Sequence, residues 1–153
     1  MKRIMCVALI IIAAGVLANA QEETAKKTAQ EYIADLSSGG DEKTLVEAAK
    51  WLGDKKEKDA VPGLINLLGD GRETVRLEAA VSLGLIGEES AIDALNNSLL
   101  NDDSAEVRYA ALLSAMKIGS EKSIDSFRLS RERETDPFIQ DLLAKLEEKA
   151  KGK

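Results

Sequence analysis

The sequence has no histidine, a single cysteine and only 3% aromatic residues. Without histidine there is no Ser-His-Asp or Cys-His nucleophile arrangement and no histidine-ligated zinc or iron, and the commonest general base is missing. The lone Cys6 excludes an intramolecular disulfide, so packing alone must hold the fold. The scarcity of aromatics argues against a small-molecule pocket, whose walls are usually apolar and aromatic. With 27 acidic against 21 basic residues, the chain carries a net charge of −6 and is a poor match to a phosphate backbone. No nucleic-acid partner, no metal and no cofactor are expected.

Long apolar runs are also scarce, with one exception. Lys2 and Arg3 precede an apolar stretch from Ile4 to Leu17, followed by Ala18-Asn19-Ala20. A short positive start, an apolar centre and small residues at positions −3 and −1 describe a secretory signal cut between Ala20 and Gln21. The apolar stretch is shorter than the ~20 residues a membrane span needs, so no membrane insertion is expected after removal. Losing Lys2 and Arg3 lowers the 21 basic residues to 19 against 27 acidic, a net charge of −8. Cys6 leaves with the same segment. The expected location is therefore periplasmic or secreted, through bacterial-type export.

What the chain does have is repetition. "TVRLEAAVSLGLIGEESAIDAL" (Thr74 to Leu95) returns 32 residues later as "EVRYAALLSAMKIGSEKSIDSF" (Glu106 to Phe127). Val75 meets Val107, Arg76 meets Arg108, Ala79 meets Ala111, Gly87 meets Gly119 and Ile92 meets Ile124. A looser copy precedes them by 31 residues, where Leu52-Gly53 matches Leu83-Gly84. The phrase starts once more at Thr135, with Ile139 standing 32 after Val107. A fixed period of this length marks a solenoid of stacked units.

Each unit divides into two helices. Val75, Ala79, Leu83 and Ile86 share one helical face, and Leu77, Ala80, Val81 and Gly84 form an adjoining one. A surface helix needs one apolar stripe; a helix in the middle of a stack needs two. Gly87 and Gly119 end the first helices, since glycine takes the left-handed cap conformation without steric cost. Ala91, Ile92, Leu95 and Leu99 line one side of the next helix, leaving Asp93, Asn96 and Asn97 on the other. Ser104 and Asp136 stand where an N-cap is wanted, with Pro137 at the first helical position. In that column the second unit holds Arg72, a poor cap.

The pattern of Val-Arg, Ala-Ala, Leu-Gly, Ile-Gly and then an Ala-Ile-x-x-Leu helix resembles the HEAT repeat. It is most similar to the HEAT-like subtype named after phycobilisome lyases, from about Asp41 to about Leu146. The resemblance implies an all-α, right-handed solenoid with first helices on the convex side and second helices on the concave, partner-binding side. The expected division is a signal over 1–20, a capping helix and linker over 21–40, three repeats over 41–135, and a C-terminal capping helix and tail over 136–153.

Several local patterns read as structure rather than chemistry. Asp70, Arg76, Asp102 and Arg108 recur at repeat spacing and are expected to form an ion-pair ladder between units. Ser114 to Lys117 matches S-x-x-K but lies inside a helix with no companion motif. Asn101 to Ser104 and Gly69 to Gly71 fall where the repeat must turn, and neither completes a calcium loop. Arg131 stands where earlier units carry Leu68 and Leu99, so contact with the last helix should be looser.

The outer side of the second helices remains: Asp93, Asn96, Asn97, Asp125 and Arg128. It is polar and almost without aromatics, whereas tight hot spots favour Trp, Tyr or Arg. The sequence therefore points to a monomeric, exported, non-enzymatic module that binds a protein partner through this face in the cell envelope. The alternatives are a structural spacer without a specific partner, and a lyase-type enzyme or chromophore-handling subunit implied by the resemblance.

Overall fold

The computed structural model describes residues 27–37 and 39–151. The expected signal, with Ala18 and Ala20, lies outside the described residues. In chain order the helices are α1 (Ala29–Ser37), α2 (Glu42–Lys55), α3 (Val61–Leu67), α4 (Glu73–Ile86), α5 (Ile92–Asn101), α6 (Ala105–Ile118), α7 (Ile124–Arg133) and α8 (Pro137–Lys151). Short 3-10 turns lead into α3, α5 and α7. The arrangement is a short all-α solenoid of HEAT-like helix pairs. First helices α2, α4 and α6 pack side by side, and each second helix packs on the first helix that follows it.

The helix ends follow from their cap residues. Asp41 accepts a hydrogen bond from the Thr44 N–H at 3.1 Å, and Ser104 Oγ accepts one from Val107 N–H at 3.3 Å. Asp136 Oδ1 accepts from the Phe138 and Ile139 N–H groups at 3.0 Å. Each of these satisfies donors left open at a helix start. Gly87 and Gly119 close α4 and α6 at φ 81° and 74°, as left-handed caps should. In the first unit that cap is Lys56, at φ 56°, a conformation that costs a residue with a side chain more than it costs glycine.

Burial follows the repeat. Val75, Ala79 and Leu83 are sealed, as are their neighbours Ala80 and Gly84. Val81 was expected on a buried face, but it is 38% exposed on the outer side of α4, and Leu113, 32 residues on, is 40% exposed. The second packing face is instead narrow and built from small residues. Ser82, fully buried, donates to the Ala49 carbonyl at 2.8 Å, and Ser114 donates to the Ala80 carbonyl at 2.8 Å. Opposite them stand Gly53 and Gly84. A Cβ added to Gly53 would lie 2.7 Å from Ser82 Oγ, and one added to Gly84 would lie 2.3 Å from Ser114 Oγ. Glycine is thus what lets α2, α4 and α6 approach so closely.

At the next junction the same two columns hold Met116 and Leu146, both only partly buried. The tight approach is not repeated there, and α8 meets the stack mainly through α7. On the outer side, the Phe138 ring rests against Tyr109 with centroids 5.3 Å apart. At the other end Tyr32 of α1 stacks on Trp51 at 4.4 Å, which leaves Trp51 half-buried.

Candidate functional site

Asp70, Asp102 and Glu134 recur every 32 residues at the end of a second helix, and each carboxylate also steadies the next helix start. Asp70 Oδ1 accepts from Arg72 N–H at 2.9 Å, Asp102 Oδ1 from Ser104 N–H at 3.0 Å, and Glu134 Oε1 from Asp136 N–H at 2.9 Å. The arginines then reach forward. Arg76 pairs with Asp102 through Nε and Nη2, at 2.8 and 3.0 Å, while its Nη1 donates to the Asp70 carbonyl at 3.0 Å. Arg108 pairs with Glu134 at 2.9 and 2.7 Å, and its Nη1 donates to the Asp102 carbonyl at 3.0 Å. Each arginine therefore spans the turn before its own helix and the turn after the next one. These are fork-to-fork pairs, which fix direction as well as distance.

Asp70 keeps its side chain for Arg72, whose Nε and Nη2 contact the carboxylate at 2.8 and 2.7 Å. Arg72 Nη1 also reaches the Gly40 carbonyl at 3.1 Å. That explains the arginine in a cap column: it joins the linker before α2 to the turn before α4. The Arg72 guanidinium holds Asp70 down to about 2, against an ordinary value near 3.8. Burial opposes ionisation of Asp102, but the Arg76 and Ser104 hydrogen bonds prevail and its pKa is lowered. The Arg108 side chain lowers Glu134. Glu134 belongs to this row although the sequence reading omitted it, because the column changes there from Asp to Glu. The 32-residue spacing from Asp102 was the available signal.

The second-helix row is only partly what the sequence suggested. Asp93 and Asn97 are exposed, and Asn101 donates to the Asn97 side chain at 2.9 Å. Asp125 and Arg128 are exposed and pair with each other at 2.9 Å. Asn96 is a correction: it is buried, 8% exposed, and its Nδ2 donates to the Lys122 carbonyl at 3.3 Å. The reason is geometric. α5 packs chiefly on α6, the turn entering α7 also lies against it, and Asn96 falls at that second junction.

The sequence reading missed a shallow apolar groove of about 420 Å³ between α4 and α6, on the first-helix side. Leu77, Val81 and Leu85 form one wall, and Tyr109 and Leu113 the other. Among the described residues, no group of three or more His, Cys, Asp or Glu side chains could hold a metal ion, and no helix is long and apolar enough to cross a membrane.

Residues 29–114 match the family of HEAT repeats. The chain belongs to the HEAT repeat family. Among its relatives is deoxyhypusine hydroxylase of Arabidopsis thaliana, 35% identical over 95 residues, which cover 61% of this chain and 30% of that protein. The protein of the same name from Saccharomyces cerevisiae is 35% identical over 123 residues, which cover 75% of this chain and 37% of that one. This HEAT repeat chain thus spans about a third of the curated relatives it matches. Its fold is similar to a chain in the complex of CpcE and CpcF of phycocyanin lyase from Nostoc sp. PCC7120. The TM-score is 0.61 at 31% identity, covering 67% of this chain and 41% of that one. The lyase-type subtype of HEAT-like repeat is therefore the right comparison.

These likenesses overturn the expectation that the chain is not an enzyme. Its relatives are named as a hydroxylase, and its structural neighbour belongs to a lyase. Lack of histidine excludes histidine chemistry and nothing wider, so it was too narrow a ground for setting enzymes aside.

Proposed function

We propose that this chain is an exported HEAT-like module that docks a protein partner through its second-helix side, as one component of an enzyme-serving assembly in the cell envelope. The observation that carries this reading is the row of Asp93, Asn97, Asp125 and Arg128. These residues stand exposed on successive second helices, where Asn97 bonds to Asn101 and Arg128 to Asp125 within the same helix. The relative in a two-protein lyase complex supports partnership, and the hydroxylase name supports service to an enzyme. The Lys2 to Ala20 pattern supports export.

Two measurements test it. Intact mass of the protein recovered from its native host's envelope should give an N-terminus at Gln21. Crosslinking in that fraction should yield one stoichiometric protein, lost when Asp93, Asn97 and Arg128 are all replaced by alanine while helicity and melting stay unchanged. A full-length mass sinks the export reading. If the triple variant keeps its partner, the second-helix row is the wrong surface. A spacer would give no stoichiometric partner at all.

A further inference from the structure

On the first-helix side the outward stripe changes character along the stack. In the middle units it is apolar: Leu77, Val81 and Leu85 on α4 and Tyr109 and Leu113 on α6 line the groove of about 420 Å³. Val81 and Leu113 are among the exposed large hydrophobic residues. In the first unit the positions of Val81 and Leu85 hold Lys50 and Asp54, and on α8 those of Tyr109 and Leu113 hold Asp141 and Lys145. All four charged residues are exposed. An apolar patch rimmed by polar residues is the form of a protein interface. The ends of the stripe identify its occupant. On α6 it runs Glu106, Tyr109, Leu113, Lys117, so an acid opens it and a cation closes it. Both charges are exposed. Glu106 accepts one hydrogen bond, from the Ser104 hydroxyl at 3.0 Å, and Lys117 has no partner among the described residues.

We infer that the α4–α6 groove is the contact face of an antiparallel two-fold dimer of this chain, in which Glu106 of each copy meets Lys117 of the other. Glu106 and Lys117 stand eleven residues apart, which is three turns and about 16 Å of helix, so they share one stripe. A stripe with an acid at one end and a cation at the other is complementary to itself reversed. Two-fold symmetry supplies that reversal, because an isologous contact sets residue i against j and j against i. With the axis midway between Tyr109 and Leu113, the Tyr109 of one copy falls beside the Leu113 of the other. The ion pair then forms twice, once at each end of an apolar centre that Leu77, Val81 and Leu85 widen. Parallel copies would instead set Glu106 on Glu106 and Lys117 on Lys117. The dimer goes beyond the docking function and does not depend on it. The groove lies on the first-helix side, so Asp93, Asn97, Asp125 and Arg128 stay open in both copies. A patch two helices wide belongs to the small end of interface sizes, and a Kd of about 10–100 µM is expected.

Sedimentation equilibrium of the chain recovered from its native host, from about 1 µM to about 1 mM, should show monomer passing into dimer. Val81→Lys and Leu113→Lys should each abolish the dimer. They install what Lys50 and Lys145 already are at these positions of the outer units, so the dilute chain should melt as the parent does. Glu106→Lys and Lys117→Glu should each weaken association by about tenfold, since each turns two attractions into two repulsions. Glu106→Lys combined with Lys117→Glu should restore the parent affinity, because the reversed stripe again matches its own copy. These charge reversals stand on exposed ends of α6 and decide the matter even if a groove variant fails to fold. A chain that stays monomeric throughout overturns the inference. So does a dimer that survives both groove variants, as one driven by the apolar Ile4 to Leu17 run would. A double variant no stronger than the single ones overturns the antiparallel pairing. A monomeric chain whose envelope partner is lost on Leu113→Lys would give the groove to a different protein, and the dimer would be wrong.

Discussion

Gly84 of α4 faces Ser114 of α6 so closely that a methyl on the glycine would lie 2.6 Å from Ser114 Cβ and 2.9 Å from its Cα. Alanine in a helix is favoured over glycine by about 1 kcal/mol, so propensity alone would make Gly84→Ala stabilising. Here the close neighbours are the root of the side chain and the backbone, which cannot swing away. Overpacking costs about 1–3 kcal/mol, and a net loss of about 1 kcal/mol is expected in urea denaturation. Gly71→Ala, where nothing lies within 4 Å, should stay within about 0.5 kcal/mol of the parent. A Gly84→Ala midpoint above the parent's would mean that the first helices are not in this contact.

Arg76 and Asp102 are 16% and 6% exposed along their side chains. Removing one partner of a well-buried pair costs about 3–5 kcal/mol, because the other charge is left unpaired. Arg76→Gln also loses the bond to the Asp70 carbonyl, and a loss of about 2–4 kcal/mol is expected after allowing for partial solvent access. Lys43 and Glu47 are far more exposed, at 83% and 65%, so Lys43→Ala should cost about 0–1 kcal/mol. Equal urea midpoints for the two variants would reduce the ladder to surface decoration.

The same carboxylates set the acid limit. Asp70, Asp102 and Glu134 all have lowered values in the fold. A depressed carboxylate binds protons less readily folded than unfolded, so falling pH favours the unfolded chain. For Asp70 the stabilisation is complete above about 3.8 and disappears as the pH passes through about 2. The melting midpoint should therefore fall steeply between those values, and Asp70→Asn should flatten that part of the curve. A parent midpoint that stays level from pH 4 to about 2 would contradict the lowered values.

The repeat, the helix pairs and the glycine caps were legible because each rests on a local rule: period, stripe, or the left-handed preference of Gly87 and Gly119. Arg72 was not legible as anything but a bad cap, since its partners Asp70 and Gly40 belong to different turns brought together only by stacking. The Ser82 and Ser114 contacts were hidden for a similar reason. A polar residue in an apolar stripe looks like a flaw until the carbonyl that accepts its proton, 33 or 34 residues away, is in place. The same blindness affects the candidate surface. Helical periodicity assigns sides of a helix, but it does not say which side the next unit will cover, so Val81 was placed inside and Asn96 outside.

Asn96 offers the sharpest check on that assignment. It is 8% exposed, its Nδ2 makes one bond at 3.3 Å, and its Oδ1 has no partner. A buried polar atom left unpaired costs about 1–3 kcal/mol, so the amide is a weak point in the junction between α5 and α7. The first unit carries Ile65 in this column, half-buried and packed on the core. Asn96→Ile should therefore raise the melting midpoint, by an amount equivalent to about 1 kcal/mol once the lost bond to Lys122 is offset by apolar burial. Partner capture should be unaffected, because Asp93 and Asn97 stay in the open while this position does not. A drop in stability would show that the amide is better satisfied than its bonds suggest. Loss of the partner with stability intact would return Asn96 to the binding surface.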